Sequence, residues 1–156
     1  MGKDRNLSLN SPESIQSVIG DTDIKIAVIA AMWHEKIVRG LIDGATREIV
    51  SSGSHAELFR VPGSVELVLA CKKLLKTFDA AVALGVILRG ETDHNTHIAR
   101  LVLNGITDVM LALEKPIGIG VLTIDTEQQG LDRSSGDYNA GVNAARAVIR
   151  MVRLFR

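Results

Sequence analysis

The stretch Ala80-Ala81-Val82-Ala83-Leu84-Gly85-Val86-Ile87-Leu88 carries no polar side chain. A strand with one wet face would alternate, so this run reads as a strand covered on both faces, the usual environment inside a parallel sheet. Parallel neighbours cannot be joined by a hairpin and require crossover connections, usually helical. Helical spacing does follow this run, from about His94 to Leu113. Upstream, Ile24 to Ala30 is a β-branched strand, and Ile37, Leu41, Ile42, Ala45 and Ile49 then repeat at helical spacing until Gly53. Glu57 to Val61 forms a second short strand stopped by Pro62-Gly63, and Val65 to Leu75 returns to helical spacing. Pro116 to Leu122 supplies a fourth strand, followed by a short helix over Gln128 to Arg133 and a terminal one over Ala140 to Phe155. Because each crossover must be right-handed, the series predicts an α/β fold: a three-layer α/β/α sandwich around a central parallel four-stranded sheet, of flavodoxin-like type. Residues 23–156 would form one domain. Residues 1–22, polar and without periodicity, read as a loose N-terminal arm.

Composition narrows the class. A chain of 156 residues that is 46% hydrophobic can build one substantial core. Lys+Arg and Asp+Glu each number 18, and no basic run occurs, so neither nucleic acid nor another polyanion is an expected partner. Cys71 is the single cysteine and sits in an apolar helical pattern, which points to core filling and a reducing compartment. No apolar stretch of signal or membrane-spanning length is evident, so a soluble cytoplasmic protein is expected.

In parallel sheets of this kind ligands bind beyond the carboxyl ends of the strands, so the loops after Ala30, Val61, Leu88 and Leu122 carry the functional argument. After the third strand, Arg89-Gly90-Glu91-Thr92-Asp93-His94 leads into a helix whose free N–H groups face the loop, a natural phosphate seat. Thr92 or Asp93 can equally serve as an ordinary helix cap. His94 beside that seat can move protons, whereas His97, one turn on, reads as a surface residue: two imidazoles at that spacing need further ligands to hold a metal, and only Asp93 is near. The first strand runs into Trp33-His34, placing the only tryptophan where its indole can stack on a flat heterocycle. The second ends in Pro62-Gly63-Ser64-Val65-Glu66, with backbone groups of Ser64 and Val65 and the Glu66 carboxylate turned to the same opening. No G-x-S-x-G makes Ser64 a nucleophile. The fourth leads to Arg133, a guanidinium suited to phosphate. No Walker motif or complete G-x-G-x-x-G is found.

Ala31-Met32-Trp33-His34, Val61 to Glu66, Ala83 to His94 and Gly120-Val121-Leu122-Thr123, in that order and spacing, resemble the lumazine synthases, from about Ile24 to the C-terminus. The resemblance implies condensation of 5-amino-6-(D-ribitylamino)uracil with 3,4-dihydroxy-2-butanone 4-phosphate to 6,7-dimethyl-8-ribityllumazine, with release of phosphate and with no cofactor or metal. It implies that Trp33 stacks on the pyrimidine, that Ser64 and Val65 contact it through the backbone, that Ile87 lines its pocket, and that Glu66 holds ribityl hydroxyls. Gly90, Glu91 and Thr92 would bind phosphate, with Arg133 reaching it from an adjacent subunit, and His94 would move protons. It further implies a homo-oligomer, a pentamer or a multiple of pentamers. Several positions depart from the family pattern: Asn95 where an aromatic residue is common, Thr96 where an acid is common, Ala140 where many relatives have lysine, and Ile119 where Phe often forms the neighbour's wall of the pocket. These departures open a second reading, a paralogue that binds lumazine or flavin or builds a shell with little catalysis. A third is an α/β domain for some other small phosphorylated ligand, in which Trp33 and Glu66 are incidental.

Overall fold

The structure is a computed structural model that describes residues 23–156; the expected arm over 1–22 lies outside the described residues. In chain order the elements are β1 (Lys25–Ala31), α1 (Glu35–Ser51), β2 (His55–Val61), α2 (Glu66–Leu74), β3 (Ala80–Leu88), α3 (His94–Leu113), β4 (Ile117–Ile124), α4 (Glu127–Asp132), a 3-10 turn over Gly136–Tyr138, and α5 (Ala140–Leu154). The four strands form one parallel sheet in the order β2-β1-β3-β4.

Two strands are longer than their apolar patterns. β2 begins at His55, because the His55 N–H donates to the Ile24 carbonyl at 2.8 Å and Ala56 is buried opposite Ile26. β4 continues to Ile124, paired with Leu88 and buried in the core. Both extensions come from cross-strand pairing, to which a local reading is blind.

Side chains alternate across the sheet and divide the core in two. Val28, Ala30, Val82, Leu84 and Ile124 face α1 and α5; Ala27, Ile29, Ala81, Ala83 and Ile117 face α2 and α3. The three-layer sandwich is therefore present. β1 and β3, at the centre, are buried on both faces apart from their ends. β4 is an edge strand with unequal faces. Leu122 and Ile124 pack under α5, but on the other face α3 leaves Ile119 39% exposed. α3 is long and apolar enough by length and composition to cross a membrane, yet its stripe of Ala99, Val102, Ile106 and Val109 is buried within the domain.

Cys71 lies on α2, fully buried among Ile29, Leu67 and Leu75, and loss of hydration pushes its thiol up to about 12. The thiolate is the reactive form, so the folded protein should resist an aromatic disulfide reagent at neutral pH and react as denaturant unfolds it. Rapid labelling without denaturant would contradict this packing.

Candidate active site

The carboxyl ends of all four strands open on one edge of the sheet, and β1 and β3, although neighbours, send the chain in opposite directions, β1 towards β2 and β3 towards β4. Such a switch point leaves a crevice between the loops. At the end of β1 the Met32 N–H still donates to the Val61 carbonyl at 2.9 Å, holding the turns after β1 and β2 side by side. A side chain added at Gly63 would lie 3.1 Å from Oε2 of Glu66, 3.5 Å from Cδ1 of Trp33 and 3.7 Å from its Nε1. Indole and carboxylate thus flank one small space, which the absent Gly63 side chain keeps open. Trp33 is 70% exposed, an unusual state for so large an apolar side chain and one suited to stacking. Ser64 turns its hydroxyl onto Gly85 of β3, while the Ser64 and Val65 carbonyls start α2 by accepting from Leu67 and Val68. The Ser64 hydroxyl therefore lies against the sheet.

The Trp33 turn is strained and clamped. His34 adopts a left-handed conformation, φ 57° and ψ 50°, seldom taken by non-glycine residues and costing about 1–3 kcal/mol. Its carbonyl accepts from the Ile37 and Val38 N–H groups, each at 3.0 Å, so the strain starts α1 at once. Glu35, the first residue of α1, pairs with Arg60 of β2 at 2.6 Å, and Arg60 also donates to the Ala31 carbonyl at 3.1 Å. Arg60 and Glu35 escaped the sequence analysis. The only signal was an arginine near a strand's carboxyl end and an acid at a helix start, a pattern too common to single out.

After β3, the Arg89 N–H donates to the Ile124 carbonyl at 2.7 Å and its guanidinium meets Asp125 at 3.3 Å. The alternative reading, a side-chain cap by Thr92 or Asp93, is not met. Asp93 occupies the N-cap position without a side-chain bond, and the Asn95 amide instead reaches back to donate to the Leu88 carbonyl. With no side-chain cap at Asp93, the first turn of α3 keeps its N–H groups free of a side-chain acceptor among the described residues, as an anion seat requires. Gly90, Glu91, Thr92, His94 and His97 are exposed around it. Among the described residues no group of three or more His, Cys, Asp or Glu side chains is placed to hold a metal.

Two candidates stand apart from this cluster. Arg133 ends α4, is exposed, and makes no side-chain hydrogen bond or ion pair among the described residues. Leu131 beside it packs into the α1 and α5 layer, opposite the layer that the Gly90–His94 loop enters. Ile119 lies exposed on the edge strand. A cavity of about 330 Å³ takes Ile87 as one wall, with Arg89, Asn95, Arg100 and Thr123. It shares only Ile87 with the expected set and does not reach the space between Trp33 and Glu66 at Gly63.

Residues 23–156 match the family described as 6,7-dimethyl-8-ribityllumazine synthase. A protein of that name from Tropheryma whipplei strain Twist is 99% identical over 156 residues, all of both chains. Its namesake from Cutibacterium acnes is 44% identical over 153 residues, covering 96% of this chain and 91% of its own length. The chain belongs to the lumazine synthase family. It is accordingly an enzyme of riboflavin biosynthesis, a transferase, and its α/β sandwich is consistent with that family.

In this lumazine synthase family member the Trp33 turn should respond to acid. The Arg60 hydrogen bond, aided by Arg39, holds the Glu35 carboxyl below its ordinary value of 4.5. A depressed carboxyl contributes stability above the ordinary value and loses it as pH falls through the lower, folded value. Emission from Trp33, the only tryptophan, should therefore shift as pH falls below about 4.5, and the shift should be smaller in Glu35→Gln, where the clamp has no carboxyl to titrate. Identical titrations of the two proteins would show that the clamp does not govern the turn.

Proposed function

We propose that the chain condenses 5-amino-6-(D-ribitylamino)uracil with 3,4-dihydroxy-2-butanone 4-phosphate at a site shared by neighbouring copies in a pentamer or a multiple of pentamers, in the cytoplasm and without a metal or cofactor. The observation that carries this reading is the shared space at Gly63, where an exposed indole faces a carboxylate at the mouth of the sheet. A flat pyrimidine fits the ring, and the hydroxyls of a ribityl chain fit the carboxylate; Ile87 and the Ser64 and Val65 backbone complete that half. The free N–H groups after Gly90, Glu91 and Thr92 donate to the phosphate oxygens.

The substrate amine is itself the nucleophile, so the protein need only orient and move protons. The amine adds to the ketone and loses water to give an imine, phosphate leaves with its electron pair, and the ribityl-bearing nitrogen closes the ring with loss of a second water. His94, next to the phosphate seat, passes protons in these steps. Arg133, without a side-chain partner among the described residues, lies on the opposite layer and, in this reading, serves the phosphate of an adjacent subunit, whose pocket Ile119 also walls.

Purified protein is mixed with both substrates and lumazine absorbance followed against the uncatalysed reaction. Loss of a charged hydrogen-bonding group costs about 1.5–3 kcal/mol, so Arg133→Ala should raise KM for the phosphate substrate about tenfold or more. His94→Ala should lower kcat by about 10²–10⁴-fold without abolishing it. Unchanged turnover in His94→Ala would remove that residue from proton transfer. Full activity at a monomeric mass would rule out the shared site, and binding of the heterocycle without acceleration would make the chain a binding relative instead.

A further inference from the structure

Among the described residues only three polar side chains are buried: Ser54, Ser134 and Asn139. Asn139 uses all of its amide. Oδ1 accepts from the N–H groups of Gly141 at 2.9 Å and Val142 at 3.2 Å, capping α5. Nδ2 donates to the Ser134 carbonyl and to the Gly40 carbonyl of α1, each at 2.9 Å. A cap needs only the acceptor, which serine, threonine or aspartate provide as well. The two donors answer a different need. They tie the segment after α4 to the middle of α1, while the Ala140 N–H holds the Arg133 carbonyl at 2.8 Å. α1 makes room for this contact: a Cβ at Gly40 would lie 2.3 Å from the Ser134 carbonyl oxygen, and one at Gly44 would lie 2.6 Å from the Asn139 amide.

We infer that Asn139, seated on Gly40 and Gly44, is a positioning residue that aims Arg133 at the phosphate of a neighbouring subunit's substrate. This rests on the phosphate role proposed for Arg133. The guanidinium has no side-chain partner among the described residues, so its direction depends on the backbone that carries it, and Asn139 fixes that backbone on its C-terminal side. Ser134, 5% exposed, is anchored again through its hydroxyl to the Leu131 carbonyl at 3.2 Å. Small displacements of a binding group are expensive: an error of about 1 Å can cost about 10²-fold in rate.

Three variants separate aiming from capping. Asn139→Asp keeps the acceptor that caps α5 but turns an oxygen towards two carbonyls; Asn139→Ser keeps a cap and withdraws the tie; Gly40→Ala leaves Asn139 intact and pushes the Ser134 carbonyl off α1. Each should raise KM for the butanone phosphate about tenfold and weaken inhibition by inorganic phosphate by a similar factor, with KM for the ribitylaminouracil unchanged. In an Arg133→Ala background Asn139→Asp should add nothing further to the phosphate KM, since both changes act on one contact. A merely structural Asn139 would instead lower kcat through the folded fraction and leave both KM values in place. If Asn139→Asp fails to fold, Gly40→Ala and Asn139→Ser carry the test. Should Arg133→Ala itself leave the phosphate KM unchanged, the phosphate role fails and the inference with it. Should Arg133→Ala raise it while the other variants do not, the inference alone is overturned.

Discussion

The pairing of β1 with β3 is the contact on which the rest of the molecule depends. Ile26 to Ala30 lie against Ala80 to Leu84, all of them fully buried. Both strands are rich in alanine, so helices on either side can approach the sheet closely. Because the chain leaves β1 towards β2 and β3 towards β4, no connection covers the carboxyl ends of the central pair. The crevice is therefore a result of strand order, and the loops that border it are free to carry chemistry.

Polar side chains then hold each loop to the frame. Arg60 and Glu35 grip the Trp33 turn, Asn95 ties the start of α3 to the end of β3, and Asn139 binds the segment after α4 to α1. All three ties reach a backbone carbonyl. Burying a polar group is costly unless it is hydrogen-bonded, so each such contact is kept only in the geometry that satisfies it. The buried donor left on Arg60 Nε is the exception, and it sits beside the strained His34 turn. Backbone strain of this kind, here beside an exposed tryptophan, clusters at functional sites.

Much of this was legible in the chain. The apolar run Ala80 to Leu88 and the helical spacing from His94 to Leu113 coincide with β3 and α3 as observed, because burial and periodicity speak directly for those elements. The convergence of Trp33 with Glu66 across Gly63 was foreshadowed by two strand ends facing the same opening. What escaped was long-range. His55 and Ile124 join strands only through partners far along the chain, and Arg60 and Asn139 act on carbonyls at Ala31 and Gly40, a reach no local pattern encodes. The alternative reading of Thr92 or Asp93 as a helix cap is not met either: Asp93 makes no cap bond, and the tie at this end is the Asn95 amide on the Leu88 carbonyl.

The central claim is that the site belongs to two chains, with the heterocycle pocket on one and the phosphate guanidinium on the other. Mixing Glu66→Gln subunits with Arg133→Ala subunits, after dissociation and reassembly, tests it most directly. Each variant alone lacks one half of every site, whereas mixed assemblies would contain interfaces at which an intact Glu66 meets an intact Arg133. The expected result is activity above the sum of the two parents, with the phosphate KM of the unmodified protein. Activity that never exceeds that sum, although mixed assemblies have formed, would contradict a shared site and return Arg133 to its own subunit.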